Sequence, residues 1–304
     1  MPLNRFICPD KVEVDLGQCL TKCRMATRCL SLPTLYAIVA GHREFGGRPS
    51  TTMLMNGTMQ EYLKIKESYA IDPRNRTFAL MGIEHHKKVA AVQGDWDSEQ
   101  QLAAKDGISG IADLLIPDED RPGYHVLLDY KNYGSYKVGK ALGLVVHEED
   151  HPTEVYKRSG KWGAAGTPKR VKVWLPDENQ VDLSSEKLQL NHYRVLAERT
   201  GRYKISRLEL QITVRDGGTM SAKGRGVMDN IYYPVHVPMV EDDVIIKYFA
   251  RKNGALMNSV EENSMPDVCT DEERWQGRKC ADYCDVARFC PEGQRILWLE
   301  KNKN

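Results

Sequence analysis

Asp129 and Lys131 stand two residues apart, just after the apolar run Val126-Leu127-Leu128. Side chains two apart on a strand leave it on the same face, so an acid and an ammonium lie side by side. Two chemistries suit that pair. One is an ion pair on a half-exposed strand, worth about 0.2–1 kcal/mol. The other is a hard-cation site, with the carboxylate as ligand and the ammonium orienting or activating a water.

Three further signals decide how the pair is read. Asp113 lies in the apolar stretch GISGIADLLI, residues 107–116, where an acid is costly unless it is paired or bound to a metal. Gly110 allows close backbone approach there. His86 follows Gly82 by four residues on an expected helix, next to His85. Gln189 and Tyr193 are spaced i, i+4 and share a helix face. Alone, each has an ordinary structural reading: a buried acid with a basic partner, a helix histidine, a surface hydrogen-bonding pair. Together, two carboxylates on neighbouring strands and an imidazole suit Mg²⁺ or Mn²⁺, with the Tyr130 carbonyl available to complete the set.

All eight cysteines lie near the two ends: Cys8, Cys19, Cys23 and Cys29, then Cys269, Cys280, Cys284 and Cys290. Both sets read C-x10-C-x3-C-x5-C. Clustered thiols in a protein expected to be intracellular are metal ligands before they are disulfides. Four thiolates suit zinc or a [4Fe–4S] cluster, and the spacing leaves both open.

These residues need elements to hold them. Apolar periodicity predicts helices over 50–71, 78–92, 181–201 and, as the last, 241–260. Ser184 or Ser185 can cap the third, Leu188, Val195 and Leu196 supply its stripe, and Gly201 can end it. Strands are expected over 107–117, 124–133 and 203–218, with a turn at DEDRPG. Strands framed by helices indicate an α/β core with its sheet covered on both faces.

The chain has 304 residues, 41% hydrophobic and 28% charged, which is ordinary for a globular protein with a real core. No apolar run is long enough to span a membrane, and the N-terminus has no signal-peptide core, so an intracellular protein is expected. A net charge of +1 means that any nucleic-acid surface must be a local patch. One candidate runs from Lys157 to Lys172: Lys157, Arg158, Lys161, Lys169, Arg170 and Lys172, with Trp162 between them and no acid. A solvated loop or hairpin and a phosphate-contacting surface both fit it.

The ordered set G-x-x-x-H (82–86), Asp113, L-L-D-Y-K (127–131) and Q-x-x-x-Y (189–193) resembles the PD-(D/E)XK nucleases, and among them the RecB-like and Cas4-like exonucleases. The C-terminal KCADYCDVARFCPEG adds to the resemblance, because such nucleases often carry a C-terminal Cys triplet on an iron–sulfur cluster. The resemblance covers roughly 80–290. Two features depart from it: the family's triplet is typically C-x2-C-x5-C, and its fourth ligand usually comes from a single upstream Cys, not from a complete second set.

The resemblance implies a restriction-endonuclease-like core of a mixed central sheet flanked by helices, over 32–265. Cysteine modules would flank it at 1–31 and 266–304. It implies a Mg²⁺- or Mn²⁺-dependent deoxyribonuclease, an exonuclease in recombination, repair or defence. His86, Asp113, Asp129 and Tyr130 would be metal ligands, with Lys131, Gln189 and Tyr193 also catalytic. It implies single- or double-stranded DNA as partner, a homo-oligomer or a recombination or repair protein as further partners, and a cytoplasmic place in a bacterial or phage-infected cell. A junction endonuclease and a non-catalytic DNA-binding or assembly protein on the same fold are the alternatives.

Overall fold

The computed structural model describes residues 3–103 and 107–302. The chain opens with β1 (Leu3–Ile7), β2 (Glu13–Asp15), α1 (Leu16–Thr21) and α2 (Leu32–Ala40). Next come α3 (Thr51–Met55), α4 (Thr58–Lys66) and β3 (Tyr69–Ile71). Strand β1 pairs antiparallel with β2 and parallel with β3. After α5 (Thr77–Ala90) come the strands β4 (Asp97–Ala103), β5 (Ser109–Pro117) and β6 (His125–Tyr133), then α6 (Ser135–Ala141). The ribbon β7 (Leu144–Val155) and β8 (Pro168–Pro176) precedes α7 (Ser184–Arg199), β9 (Ile205–Val214), α8 (Met220–Lys223) and β10 (Ile231–Val237). The chain closes with α9 (Asp242–Glu262), α10 (Arg278–Asp282) and α11 (Pro291–Lys301).

The main sheet has the order β10-β9-β6-β5-β4. Its pairs are antiparallel except β6 and β9, which run parallel, so the sheet is mixed. A parallel pair needs a long crossover, and the segment carrying α6, the ribbon and α7 supplies it. Helix α7 touches all five strands. Leu190 and Leu196 on α7 join Leu115, Leu127, Leu208 and Leu210 of the sheet in one core.

Residues 190–197 of α7 are all buried, because the helix serves two cores. Val195 belongs to the second, with Phe6, Leu35, Leu54, Leu63 and Phe249. Among the described residues no helix is long and apolar enough to cross a membrane. The architecture is a mixed α/β fold with its sheets flanked by helices.

Several expectations need correction. The helix expected over 50–71 is two short helices and a strand, broken at Asn56–Gly57. Asn-Gly is a turn dipeptide, and Gly57 is also required by packing, since a Cβ there would lie 2.2 Å from the Cys269 sulfur. The helix over 241–260 is not the last, since α10 and α11 follow it. At α7 the N-cap is Leu183, and Asp182 accepts hydrogen bonds from the Ser184 N–H and hydroxyl, at 3.3 and 2.8 Å. At its other end Gly201 adopts φ +74°, as a terminating glycine should. The basic stretch is a hairpin whose second strand is β8.

The two ends of the chain also meet. Cys8, Cys19 and Cys290 are buried in the same core, and Arg288 forms an ion pair with Glu13 across the ends. The terminal segments thus share one body with α2, α4 and α9.

Buried His192 in that body gives a pH expectation. It stacks on Phe249 at 3.8 Å and hydrogen-bonds Thr51 Oγ1 at 2.8 Å. Burial pushes its imidazole down to about 4 from 6.5. The unfolded chain binds that proton more readily, so stability is full above 6.5 and is lost as pH falls toward 4. The loss should reach about 3 kcal/mol. Urea midpoints across this range check it, and His192→Phe should flatten the dependence.

Candidate active site

The site forms where the sheet forks. The β5–β6 ladder runs from Pro117–His125 to Leu114–Leu128 and stops, while β6 stays paired with β9 through Tyr133. Beyond the fork the Tyr130 N–H has no β5 partner, and a buried amide left unpaired costs about 1–3 kcal/mol. The Asp113 carboxylate takes that place, accepting from Tyr130 N–H at 2.9 Å. The opening therefore fixes an acid of one strand against the backbone of the next.

Two other groups reach Asp113. His86, on α5, lies with Nδ1 3.3 Å from its Oδ1. Glu99, on β4, lies 3.7 Å from the same ring nitrogen. Potential ligand atoms of His86, Glu99 and Asp113 all sit within 4.8 Å of one another. Glu99 adopts φ 49°, a left-handed backbone that costs a non-glycine residue about 1–2 kcal/mol. The Asp113 carboxylate beside His86 holds the imidazole above its usual range, against burial, which pulls it down. Tyr130 packs edge-on to both His85 and His86, with ring centroids at 5.3 and 6.0 Å.

The second half of the site is Asp129, Lys131 and α7. Asp129 is 2% exposed. Burial pushes its carboxyl up to about 6, Lys131 opposes this, and the Asp113 charge adds to it. Lys131 Nζ lies 2.6 Å from Asp129 Oδ2, yet that oxygen has no well-directed hydrogen bond. Burial works against the Lys131 ammonium, but Asp129 outweighs it and the amine stays protonated. Lys131 donates to Gln189 Oε1 at 2.9 Å, and Gln189 Nε2 donates to Tyr193 Oη at 3.0 Å. The i, i+4 pair on α7 thus orients the lysine through one hydrogen-bonded chain.

The six side chains fall into two adjacent groups: His86 with Asp113, and Asp129-Lys131-Gln189-Tyr193. Sequence reasoning missed Glu99. Its strand, DSEQQLA, is too polar to read as one, and the available signal was an acid in a short polar stretch just before the apolar strand of Asp113.

Two carboxylates and an imidazole this close together are hard donors that fit Mg²⁺ or Mn²⁺. His86, Glu99 and Asp113 are the residues grouped closely enough to hold such an ion, and Asp129 lies outside that group with Lys131 on its Oδ2.

The cysteines converge set by set. Cys8, Cys23 and Cys29 all lie close enough to act electrostatically on Cys19. Cys269, Cys280, Cys284 and Cys290 line one cavity with Met59 and Leu63. Burial pushes the Cys284 thiol up to about 11 and raises Cys269 and Cys280. The Gln60 and Val286 amides donate to the Cys269 and Cys284 sulfurs. Four thiols in apolar surroundings with N–H donors fit a metal that takes the place of their protons; zinc and [4Fe–4S] both satisfy this donor set.

Gly110 makes a local prediction. A Cβ there would sit 2.6 Å from the Tyr193 ring and 3.0 Å from Thr51 Oγ1. Gly110→Ala should destabilise by about 1–3 kcal/mol through overpacking and should displace the Tyr193-Gln189-Lys131 chain. Denaturant unfolding measures the first effect.

No family model matches the chain, and no curated protein matches it. Among solved structures that do match is one described as "Crystal structure of SSO0001". It is 13% identical, covers 85% of this chain and 92% of that chain, and has a TM-score of 0.41. A likeness at that level carries no argument about this chain.

Proposed function

We propose that the chain is a divalent-metal-dependent DNA nuclease on a PD-(D/E)XK core, acting from free ends as an exonuclease. The observation that carries this reading is the fork. There, two acids from neighbouring strands, an imidazole and a protonated lysine gather, with the lysine held in place from α7. A buried ion pair without catalytic use needs neither the Asp113–His86 contact nor the Gln189-Tyr193 brace.

The bound ion would acidify a water and offset phosphate charge. The protein's own residues do the rest. His86, Glu99 and Asp113 would supply the donor set, and Asp129 holds Lys131 beside it. Lys131 places a positive charge where the phosphate gains negative charge, and its ammonium orients the attacking water. Gln189 and Tyr193 hold Lys131 against rotation. Burial raises the Tyr193 phenol, so it remains a neutral hydrogen-bonding group.

A neighbouring cleft of about 620 Å³ shares α5 and β5 with the site through Leu80, Ile83 and Ser109. Of its cations, Lys64 is paired with Glu61 and Arg76 with Asp285. Arg43 and Arg48 have no ion pair among the described residues and are free to meet phosphates.

The test is hydrolysis of end-labelled linear DNA and of covalently closed circular DNA, with Mn²⁺, Mg²⁺ or EDTA. Metal-dependent loss of the linear form alone is expected. Cleavage of the circle would make the protein an endonuclease, and no hydrolysis of either would end the nuclease reading.

A further inference from the structure

The β7–β8 ribbon is the feature the catalytic site does not use. It emerges between the strand carrying Lys131 and the helix carrying Gln189 and Tyr193. Its root is fixed. Gly143 adopts φ +63°, a Cβ there would meet the Asp177 carbonyl at 2.3 Å, and Asp177 N–H donates to Gly143 O at 2.9 Å. Trp174 packs on Gly226, where a Cβ would lie 2.4 Å away. From that root β7 runs for 12 residues, about 40 Å at strand rise, and nearly all of it beyond Val145 is exposed.

Charge is distributed unevenly along the ribbon. On the shaft, two of the three cations of β8 have acids beside them: Lys169 meets Glu154 at 2.8 Å, and Arg170 lies 3.8 Å from Glu148 and 3.7 Å from Asp150, while Lys172 has no ion pair among the described residues. At the tip, Lys157, Arg158 and Lys161 are exposed, and none has an ion pair among the described residues. The contiguous tip sequence from Tyr156 to Thr167 contains no acid.

The tip is also built. Gly160 and Gly163 exchange both backbone hydrogen bonds, at 3.0 and 3.2 Å, which puts Lys161 and Trp162 at the apex. Beneath it Tyr156 packs so closely on Gly163 that a Cβ would lie 2.4 Å from its ring. Ser159 Oγ accepts from Ala165 N–H at 3.0 Å. Trp162 is 77% exposed, and the Lys161 ammonium lies over its ring, 5.6 Å from the centroid. An indole carried on an ordered turn keeps little apolar surface from water, so its use lies in stacking on another flat group.

We propose that the ribbon tip is a DNA-binding finger: Trp162 stacks on an unpaired base, and Lys157, Arg158 and Lys161 contact the phosphates beside it. The partner follows from the combination. Unpaired cations fit a polyanion, and one exposed aromatic ring among them fits a base, which offers a π-face whatever its sequence. That the polyanion is DNA rests on the nuclease reading.

The test uses the full-length protein in EDTA, so that binding is read without hydrolysis. A labelled single-stranded oligonucleotide, long enough to span site and tip, is titrated by anisotropy at several salt concentrations. Trp162→Ala should weaken binding about five-fold or more with the salt slope unchanged, as for loss of one stacked base. The triple variant Lys157→Gln, Arg158→Gln, Lys161→Gln should lower the slope of log affinity against log salt by about 2, as for three phosphate contacts on a single strand.

All these residues are exposed, and matching circular dichroism and thermal midpoints show that the variants fold. Unchanged affinity and slope in both variants overturn the proposal. So does a loss in the triple variant with none in Trp162→Ala, which leaves only a charged patch, or tighter binding of RNA of the same sequence. Tip-dependent binding without metal-dependent hydrolysis overturns the nuclease reading and leaves the finger standing. Hydrolysis with tip-independent binding does the reverse.

Discussion

Asp129→Asn should fold as the wild type does and lose hydrolysis by on the order of 10³-fold, the scale of losing a central charge-stabilising group. The reason lies in where the charge sits. Asp129 is 2% exposed, and its Oδ2 has Lys131 at 2.6 Å but no directed hydrogen bond. Asparagine keeps the shape and removes both the negative charge and the desolvation it suffers. Stability should therefore hold or rise, because burial and the Asp113 charge outweigh Lys131 and make the ionised Asp129 a net cost to the fold, while Lys131 keeps Gln189 and the Asp113 charge as partners.

Lys131→Met should lose activity on the same scale and behave oppositely in stability. It strands Asp129 as a buried acid without its cation, which costs about 3–5 kcal/mol. It also leaves Gln189 Oε1 without its donor. Two variants of one ion pair, equal in activity and opposite in stability, are the expected signature. Rates on end-labelled DNA with Mn²⁺, and urea midpoints for the same samples, read both. Wild-type rates in the Asp129→Asn protein would remove the proposed centre.

Loss of metal from either cysteine set should loosen both ends of the chain. Cys8, Cys19 and Cys290 lie in one buried core with Leu63 and Phe249. Arg288–Glu13 links the ends, and Arg76 on the stretch before α5 pairs with Asp285 beside Cys284. A thiol pushed up to about 11, as at Cys284, is protonated at neutral pH unless a cation replaces the proton, so a metal bound by the cysteines, as we propose, would contribute folding energy.

Cys284→Ser and Cys19→Ser should each cut metal content by one set and lower the thermal midpoint by about 6 °C, the shift expected for a loss of roughly 4 kcal/mol in a chain of this size. Metal analysis and a visible spectrum of anaerobically purified protein identify the ion. Brown protein with visible absorbance means iron–sulfur, and colourless protein with about two zinc ions means zinc in both sets. Unchanged metal content and midpoint in both variants would show the thiols to be bystanders.

Much of the site was legible because its residues lie in regular elements with clear periods. Val126 to Leu128 marks a strand, so Asp129 and Lys131 were placeable by alternation alone. Gln189 and Tyr193 lie on a strongly patterned helix, and four-residue spacing set them on one face. The two cysteine sets were legible because each repeats one spacing, and each set does lie together. Glu99 was not legible: β4 carries one buried apolar side chain, Leu102, among its seven residues, so it shows no alternation to read. The ribbon was half legible, since its basic strand stood out while β7, with Glu148, Glu149, Asp150 and Glu154, shows no apolar alternation to read.

The order of chemical groups along the chain, their spacing within each element and the pairing of eight thiols into two alike sets were properties of the sequence by itself. Periodicity and ligand spacing are local, and a local rule can be read one segment at a time. Three features needed the tertiary structure. The sheet fork seats Asp113 on the Tyr130 amide, Gly57 is packed against a sulfur more than 200 residues away, and the two chain ends meet in one core. Each depends on which distant surface arrives at a given backbone atom, and that is settled only when the whole chain packs.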